Sequence, residues 1–114
     1  MCGEDFGGSV AVDADVTTVV LHGEADLAVR ARFQELVEQG LATTSPLIVV
    51  DLSRLRYLES ACLRSLLHAH EASAQKGRRF VVRGADGIVL RVLEVSGVAE
   101  ILVDETPREP PPGG

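Results

Sequence analysis

The sequence contains no tryptophan, one tyrosine and three phenylalanines among its 114 residues. Side chains that stack on nucleic-acid bases are therefore scarce. Basic residues are also fewer than acidic ones and are scattered, and the formal net charge is -6. A chain of this charge is repelled by nucleic acid and by anionic membranes. These shortages argue against direct nucleic-acid or membrane binding and favour protein partners.

Long apolar runs are absent as well, and none approaches the roughly 20 residues that a membrane-spanning helix needs. Residues 1–8 are Gly-rich and acidic, unlike the start of a signal peptide. We therefore expect a cytoplasmic protein. The chain has two cysteines, Cys2 and Cys62, and a reducing compartment favours two free thiols over a disulfide.

The length fits a single domain. Hydrophobic residues make up 46% of the chain and charged residues 25%, which is an ordinary globular mixture. We expect a flexible N-terminus over residues 1–8 and one folded domain over residues 9–104. The Pro- and Gly-rich residues 105–114 have little to bury and are expected to form a disordered tail.

The first half of the chain indicates strands followed by a helix. The β-branched run 16–21 predicts a strand ended by Gly23, paired in a hairpin with a strand near residues 9–12. Apolar residues at helical spacing predict an amphipathic helix from Leu27 to about Gly40.

The second half alternates strands and helices. The uninterrupted apolar run 47–52 predicts a strand covered on both faces, and residues 53–58 are expected to connect it to a helix over 60–76. Strand 79–83 and a short helix capped by Asp86 follow, and then a last strand over 100–103. This order predicts an α/β fold with a mixed sheet of about five strands and helices packed on it.

Catalytic and metal-binding patterns are weak in this sequence. His68 and His70 lie two residues apart on a helix and therefore point in different directions, and His22 has no companion ligand. The loop 84–87 lacks the Lys-Ser/Thr ending of a phosphate-binding loop. We therefore predict no catalytic residues, no metal and no cofactor.

The most informative segment is the buried strand that leads into the helix beginning at Ser60. A helix start leaves backbone N–H groups unpaired and carries partial positive charge. A serine at this place has two interpretations: it caps the helix, or it is a phosphorylation site. The local pattern alone leaves both open.

Four segments together resemble the STAS domain family of anti-sigma factor antagonists. Residues 51–53 (Asp-Leu-Ser) and 59–63 (Glu-Ser-Ala-Cys-Leu) are similar to the strand end and helix start of its signature. Residues 23–26 (Gly-Glu-Ala-Asp) look like the Gly-Glu-Leu/Ile-Asp motif of the family, and residues 91–98 look like its late helix. The resemblance extends from about residue 10 to residue 103.

This resemblance implies a partner switch. The unmodified antagonist binds an anti-sigma factor that is also a serine kinase, and phosphorylation of Ser60 ends the binding. ATP and magnesium would belong to the kinase. A homodimer is left open. The resemblance places the partner-binding surface at Asp26, Glu59, Ser60, Ala61, Cys62 and Arg64.

Three positions depart from the family pattern. Glu59 replaces Asp, Ala61 replaces a second Ser or Thr, and Cys62 replaces Gly. A side chain at position 62 is expected to obstruct a kinase that approaches the backbone closely. The alternative function is therefore a divergent STAS interaction module that is not phosphorylated. A thiol in the first turn of a helix would make such a module redox-responsive through Cys62.

Overall fold

The computed structural model describes residues 6–103 and places one mixed sheet at the centre of the molecule. Its four strands lie in the order β1-β2-β3-β4. The strands are β1 (Gly7–Asp13), β2 (Val16–Ala25), β3 (Leu47–Leu58) and β4 (Arg79–Arg83). The helices are α1 (Arg30–Leu41), preceded by a 3-10 turn (Leu27–Val29), α2 (Ser60–Gln75), α3 (Gly87–Val95) and α4 (Ala99–Leu102).

The connections follow from the strand directions. Strands β1 and β2 form the expected antiparallel hairpin, whereas β2, β3 and β4 are parallel neighbours. Parallel neighbours need a crossover, and α1 and α2 supply the two crossovers. The predicted α/β class is confirmed.

The expected fifth strand does not form among the described residues. Residues Ala99–Leu102 are the short helix α4, and Val103 alone makes a single bridge to Val82. A short apolar run is compatible with either a strand or a buried helical turn. Here the turn buries Leu102 and leaves Ile101 exposed.

Strands β2 and β3 are longer than the sequence pattern indicated. The strand β2 continues through Gly23 to Ala25, and β3 continues through the expected connection to Leu58. Their pairing contains register shifts between Val20 and His22 and between Gly23 and Glu24. The alternation of buried and exposed residues is disturbed in β3, which hid its end. In β2 the alternation is regular to Ala25, and Gly23 within the strand gave the false signal of an end.

The core lies between one face of the sheet and the helices. Helix α1 approaches β2 so closely at Gly40 that an added Cβ would lie 2.6 Å from a Val19 methyl group. Fully buried side chains from several elements meet here: Leu21, Phe33, Ile48, Val50, Leu52, Leu58, Leu66, Val82 and Leu93. Helices α1 and α2 also contact each other, so their adjoining faces border a common groove.

The predicted flexible N-terminus and disordered tail lie mostly outside residues 6–103. Residues 1–5, including Cys2, and the tail 105–114 lie outside the described residues, so their flexibility stays a prediction. Strand β1 begins at Gly7, two residues before the expected start. Within residues 6–103, the helices are too short or too polar to cross a membrane.

Candidate functional site

The carboxyl ends of β2 and β3 bring two acidic residues to one edge of the sheet. Ala25 and Leu58 are register partners at the ends of these parallel strands. The next residues along each strand are Asp26 and Glu59. The backbone N–H of Glu59 donates a 2.8 Å hydrogen bond to the Ala25 carbonyl, which fixes the start of α2 against the end of β2.

Glu59, and not Ser60, is the N-cap residue of α2. Its backbone is extended, and its carbonyl accepts hydrogen bonds from the N–H groups of Cys62 (2.9 Å) and Leu63 (3.0 Å). The Glu59 side chain makes no capping hydrogen bond. The capping interpretation of Ser60 is therefore wrong: Ser60 is the first residue within the helix, and its exposed hydroxyl has no capping role.

The Glu59 carboxylate lies between two hydroxyl groups. The Tyr57 hydroxyl donates a 3.0 Å hydrogen bond to Oε1, and the Ser60 hydroxyl lies 3.5 Å from Oε2. The hydrogen bond from Tyr57 to Glu59 and the negative charge of Glu59 raise the pKa of Tyr57, and Asp26 makes a smaller contribution. Tyr57 was not among the predicted site residues. Residues i and i+2 along a strand lie on the same face. A prediction that extended β3 to Leu58 would therefore have placed Tyr57 beside Glu59.

Asp26 is half-buried beside this carboxylate. Its Oδ1 atom is buried and accepts no hydrogen bond from residues 6–103. Its negative charge contributes to the raised pKa values of Tyr57 and Cys62, so it acts electrostatically on both. The structure thus gathers Asp26, Tyr57 and Glu59 into an acidic cluster next to Ser60.

Cys62 lies beneath this cluster and is fully buried. Its thiol is 3.9 Å from the backbone carbonyl oxygen of Asp26. Burial, followed by the charges of Glu59 and Asp26, raises the pKa of this thiol from 9.0 to about 11, although Arg30 acts in the opposite direction. Because only the thiolate is reactive, the structure opposes the redox hypothesis.

The buried position of Cys62 corrects two further predictions. The side chain offers no surface to a partner, because its exposed fraction is 0%. It also does not obstruct an approach to the backbone, since it points into the core. The remaining predicted partner residues do reach the surface: Ser60 and Arg64 are exposed, and Asp26, Glu59 and Ala61 are partly exposed.

Two grooves flank Ser60. One, of about 430 Å³, runs between α1 and α2. The other, of about 320 Å³, lies between α2 and the turn after α3. The first groove is lined by Arg30, Gln34, Ser60, Ala61, Arg64, Ser65 and His68. The second is lined by Ser60, Leu63, Arg64, Leu67, Ser96 and Val98. Ser60 and Arg64 therefore form a ridge between two concave surfaces.

A more apolar groove continues from the first along the same helix pair. It has a volume of about 240 Å³, and Gln34, Ser65 and His68 line both grooves. Arg30 is a site residue that sequence reasoning missed. Its closeness to α2 comes from the packing of two helices, which leaves no local signal in the sequence.

Within the part of the chain that the structure describes, no group of three or more His, Cys, Asp or Glu residues has the closeness needed to hold a metal ion. His22 and His68 are exposed and His70 is half-buried. The expectation that the protein binds no metal stays a prediction.

The chain resembles known proteins in sequence and in structure. A family model described as "Mlab, STAS domain" matches residues 9–104. The chain is similar in structure to an anti-sigma factor antagonist from Mycobacterium paratuberculosis, with a TM-score of 0.78 and 22% identity, covering 86% of this chain and 83% of that chain. A comparison with curated proteins returned no match.

Two other solved structures share the fold. An RsbS variant from Moorella thermoacetica has a TM-score of 0.67 and 20% identity, covering 84% of this chain and 83% of that chain. The anti-sigma factor antagonist SpoIIAA of Bacillus, in its unphosphorylated form, has a TM-score of 0.64 and 21% identity, covering 89% of this chain and 88% of that chain. At these identities the likeness establishes the fold.

Proposed function

The chain belongs to the STAS domain family, and we propose that it is an anti-sigma factor antagonist. In this proposal it binds an anti-sigma factor that is also a serine kinase, and thereby frees a sigma factor. Phosphorylation of Ser60 ends the binding. The chain itself is a non-enzymatic, cytoplasmic regulator, and the kinase supplies ATP and magnesium.

The observation that carries the proposal is the exposed hydroxyl of Ser60 at the start of α2. The hydroxyl caps no backbone group, and its 3.5 Å contact with Glu59 is long for an O–H···O hydrogen bond. A kinase therefore meets a serine whose hydroxyl is accessible and held by one weak contact. Phosphorylation at this point leaves the buried hydrogen bonds of the fold intact.

The surroundings of Ser60 suit a protein interface. Concave surfaces on both sides offer pockets for partner side chains. Two large apolar side chains border the region: Leu27 follows Asp26 and is 62% exposed, and Val95 precedes the groove residue Ser96 and is 75% exposed. Exposed apolar groups next to polar grooves are typical of protein-binding surfaces.

The charges near Ser60 explain how phosphorylation would weaken such an interface. A phosphoserine adds about -1.5 to -2 charges at neutral pH. The Glu59 carboxylate lies next to Ser60, and Asp26 is close enough to influence the same cluster. Burying another anion beside these carboxylates against a partner is costly, because charges removed from water need compensation. SpoIIAA, which has the same fold, occurs in a phosphorylated form, and this supports the proposed phosphorylation of Ser60.

The test is a binding measurement with the anti-sigma factor captured from the source cell and then purified. Incubation with this factor and ATP should add one phosphate to the native chain, detected by intact-mass analysis, and none to Ser60→Ala. Ser60→Asp should bind the factor at least about tenfold more weakly than the native chain, equivalent to about 1.4 kcal/mol. Ser60→Ala should retain native affinity.

A matched control separates the site from a general charge effect. Ser9 is exposed on β1, and Ser9→Asp adds the same charge away from α2, so it should bind like the native chain. Equal affinities of the Asp, Ala and native forms at position 60 would contradict the switch. The protein would then be an unswitched STAS interaction module, in line with its departures at Glu59 and Ala61.

A further inference from the structure

Two arginines beside Ser60 have no acidic partner among residues 6–103, although the protein is acidic. The net charge is -6, and the ion pairs found within residues 6–103 join Arg32 to Glu35 and Arg56 to Glu24. Arg30 and Arg64 are both exposed. Neither forms an ion pair or a hydrogen bond with a described residue. Two guanidinium groups are thus available to an anion.

Both arginines face the groove that Ser60 also lines. Ser60 and Arg64 are four residues apart on α2, so their Cβ atoms are neighbours on one face of the helix, roughly 5 to 6 Å apart. Arg30 begins α1 and borders the groove from the opposite side. Its charge also lowers the pKa of Cys62, which is independent support for its closeness to the first turn of α2.

The opposite side of Ser60 repels an anion. There the hydroxyl faces the Glu59 carboxylate at 3.5 Å, with Asp26 nearby. A phosphate on the hydroxyl would therefore turn away from Glu59 by rotation about the Cα–Cβ bond of Ser60, whose side chain is exposed. The groove of about 430 Å³ on the Arg30 side has room for it.

We propose that Arg30 and Arg64 bind the phosphate group of phosphorylated Ser60, so that the modification links α1 to α2 across the groove. Guanidinium groups bind phosphate oxygens through paired, charge-assisted hydrogen bonds. The linked state fills the groove with the phosphate and removes two cations from the partner surface. The proposal rests on the proposed function only in taking Ser60 as the modified residue.

The experiment places phosphoserine at position 60 during translation and therefore needs neither kinase nor partner. The second ionisation of the phosphate is followed by phosphorus NMR between pH 4 and 8. The nearby cations favour the dianion and the Glu59 carboxylate disfavours it, so the test is the change in the midpoint when each arginine is removed. Because the His68 imidazole lines the same groove and is another group able to bind phosphate, every chain carries His68→Gln.

Arg30→Gln and Arg64→Gln should each raise the midpoint by roughly half a pH unit, and the double variant should raise it further. Arg56→Gln is the control, because Arg56 pairs with Glu24, and it should leave the midpoint unchanged. Unmodified variants should melt like the unmodified native chain, which excludes misfolding. A midpoint that is the same in the native chain and both groove variants would overturn the proposal. Since no partner is present, that result would leave the proposed switch untouched.

Discussion

The hydroxyl of Tyr57 donates a 3.0 Å hydrogen bond to the carboxylate of Glu59. Glu59 stands where the STAS signature has the shorter Asp, and it is the residue that also faces the Ser60 hydroxyl. Tyr57 therefore holds the longer side chain in a fixed orientation. This contact gives the Glu59 departure a structural account: the extra methylene lets the carboxylate bridge the end of β3 and the start of α2.

This contact predicts a raised ionisation midpoint for Tyr57. Ionisation removes the donated proton and places a second negative charge beside Glu59, which raises the pKa of Tyr57 above 10.0. The chain has one tyrosine and no tryptophan, so absorbance near 295 nm follows this group alone. Glu59→Gln should lower the midpoint towards 10.0, and Asp26→Asn should lower it less, because its contribution is smaller.

A variant of Glu24 provides the control for this titration. Glu24 pairs with Arg56 and is not among the groups that shift Tyr57. Glu24→Gln should therefore leave the midpoint at its native value. A native midpoint at or below 10.0, or an equal effect of Glu24→Gln and Glu59→Gln, would contradict the described contact.

The sequence predicted most of the architecture but only part of the site. Helix α2 was expected over residues 60–76 and spans Ser60–Gln75, because its apolar stripe and terminal glycine are local signals. The extension of β3 was missed because its buried residues Leu52, Leu55 and Leu58 are three apart. That spacing arises from the register shifts in its pairing with β2, and pairing is not visible in one segment. Arg30 was missed for a similar reason, since only tertiary packing brings it near α2.

Gly84 is expected to be intolerant of a side chain. It adopts φ +79°, and an added Cβ would lie 2.9 Å from the Ser53 Cβ and 3.0 Å from Asp51 Oδ1. That Asp51 oxygen accepts a 2.8 Å hydrogen bond from the Ser53 N–H, so neither group can move freely. Gly84→Ala should lower the free energy of unfolding by about 2 to 4 kcal/mol, measured by urea denaturation.

Gly87 is the matched control for that substitution. It also has a positive φ, of +55°, but nothing lies within 4 Å of an added Cβ. Gly87→Ala should therefore cost only the backbone strain, about 1 kcal/mol. If both variants lost the same stability, the close approach of Gly84 to Asp51 and Ser53 in the middle of β3 would not be the cause.

Arg78 joins the end of α1 to the following loop. Its guanidinium donates hydrogen bonds to the carbonyl oxygens of Leu41 (2.8 Å) and Ser45 (2.8 Å) and to the Thr43 hydroxyl (3.1 Å). Loss of a charged donor leaves partly buried acceptors unpaired. Arg78→Ala should lower the free energy of unfolding by about 2 to 4 kcal/mol. Lys cannot reproduce the planar fork, so Arg78→Lys should recover less than half of the loss.

The neighbouring Arg79 tests whether the effect belongs to these contacts or to charge. Its side chain is exposed and bonds to no described residue. Arg79→Ala removes the same charge and should change the free energy of unfolding by less than about 0.5 kcal/mol. Equal losses at positions 78 and 79 would show that the hydrogen bonds of the Arg78 guanidinium add nothing to the free energy of unfolding beyond the effect of its charge.

The thiol of Cys62 should be unreactive in the folded protein. It is fully buried, and its pKa is raised to about 11, so at pH 8 it is both covered and protonated. In a Cys2→Ser chain, where Cys62 is the remaining cysteine, Ellman's reagent should react only after denaturant is added. Rapid reaction of the folded chain would restore the redox hypothesis.

The same raised pKa predicts a loss of stability at alkaline pH. The unfolded chain releases the thiol proton near 9.0, whereas the folded chain holds it until about 11. Between these values the folded state binds more protons than the unfolded state, so stability falls as pH rises. This contribution to the free energy of unfolding is fully present below pH 9, and about 2 kcal/mol of it is lost by pH 10.5.

Urea denaturation of Cys2→Ser at pH 8 and 10.5 should show this loss, and the added Cys62→Ala substitution should remove it. All other ionisable groups are the same in both chains, so the difference between the two pH dependences isolates the thiol. Identical pH dependences would mean that burial does not hold the proton on Cys62.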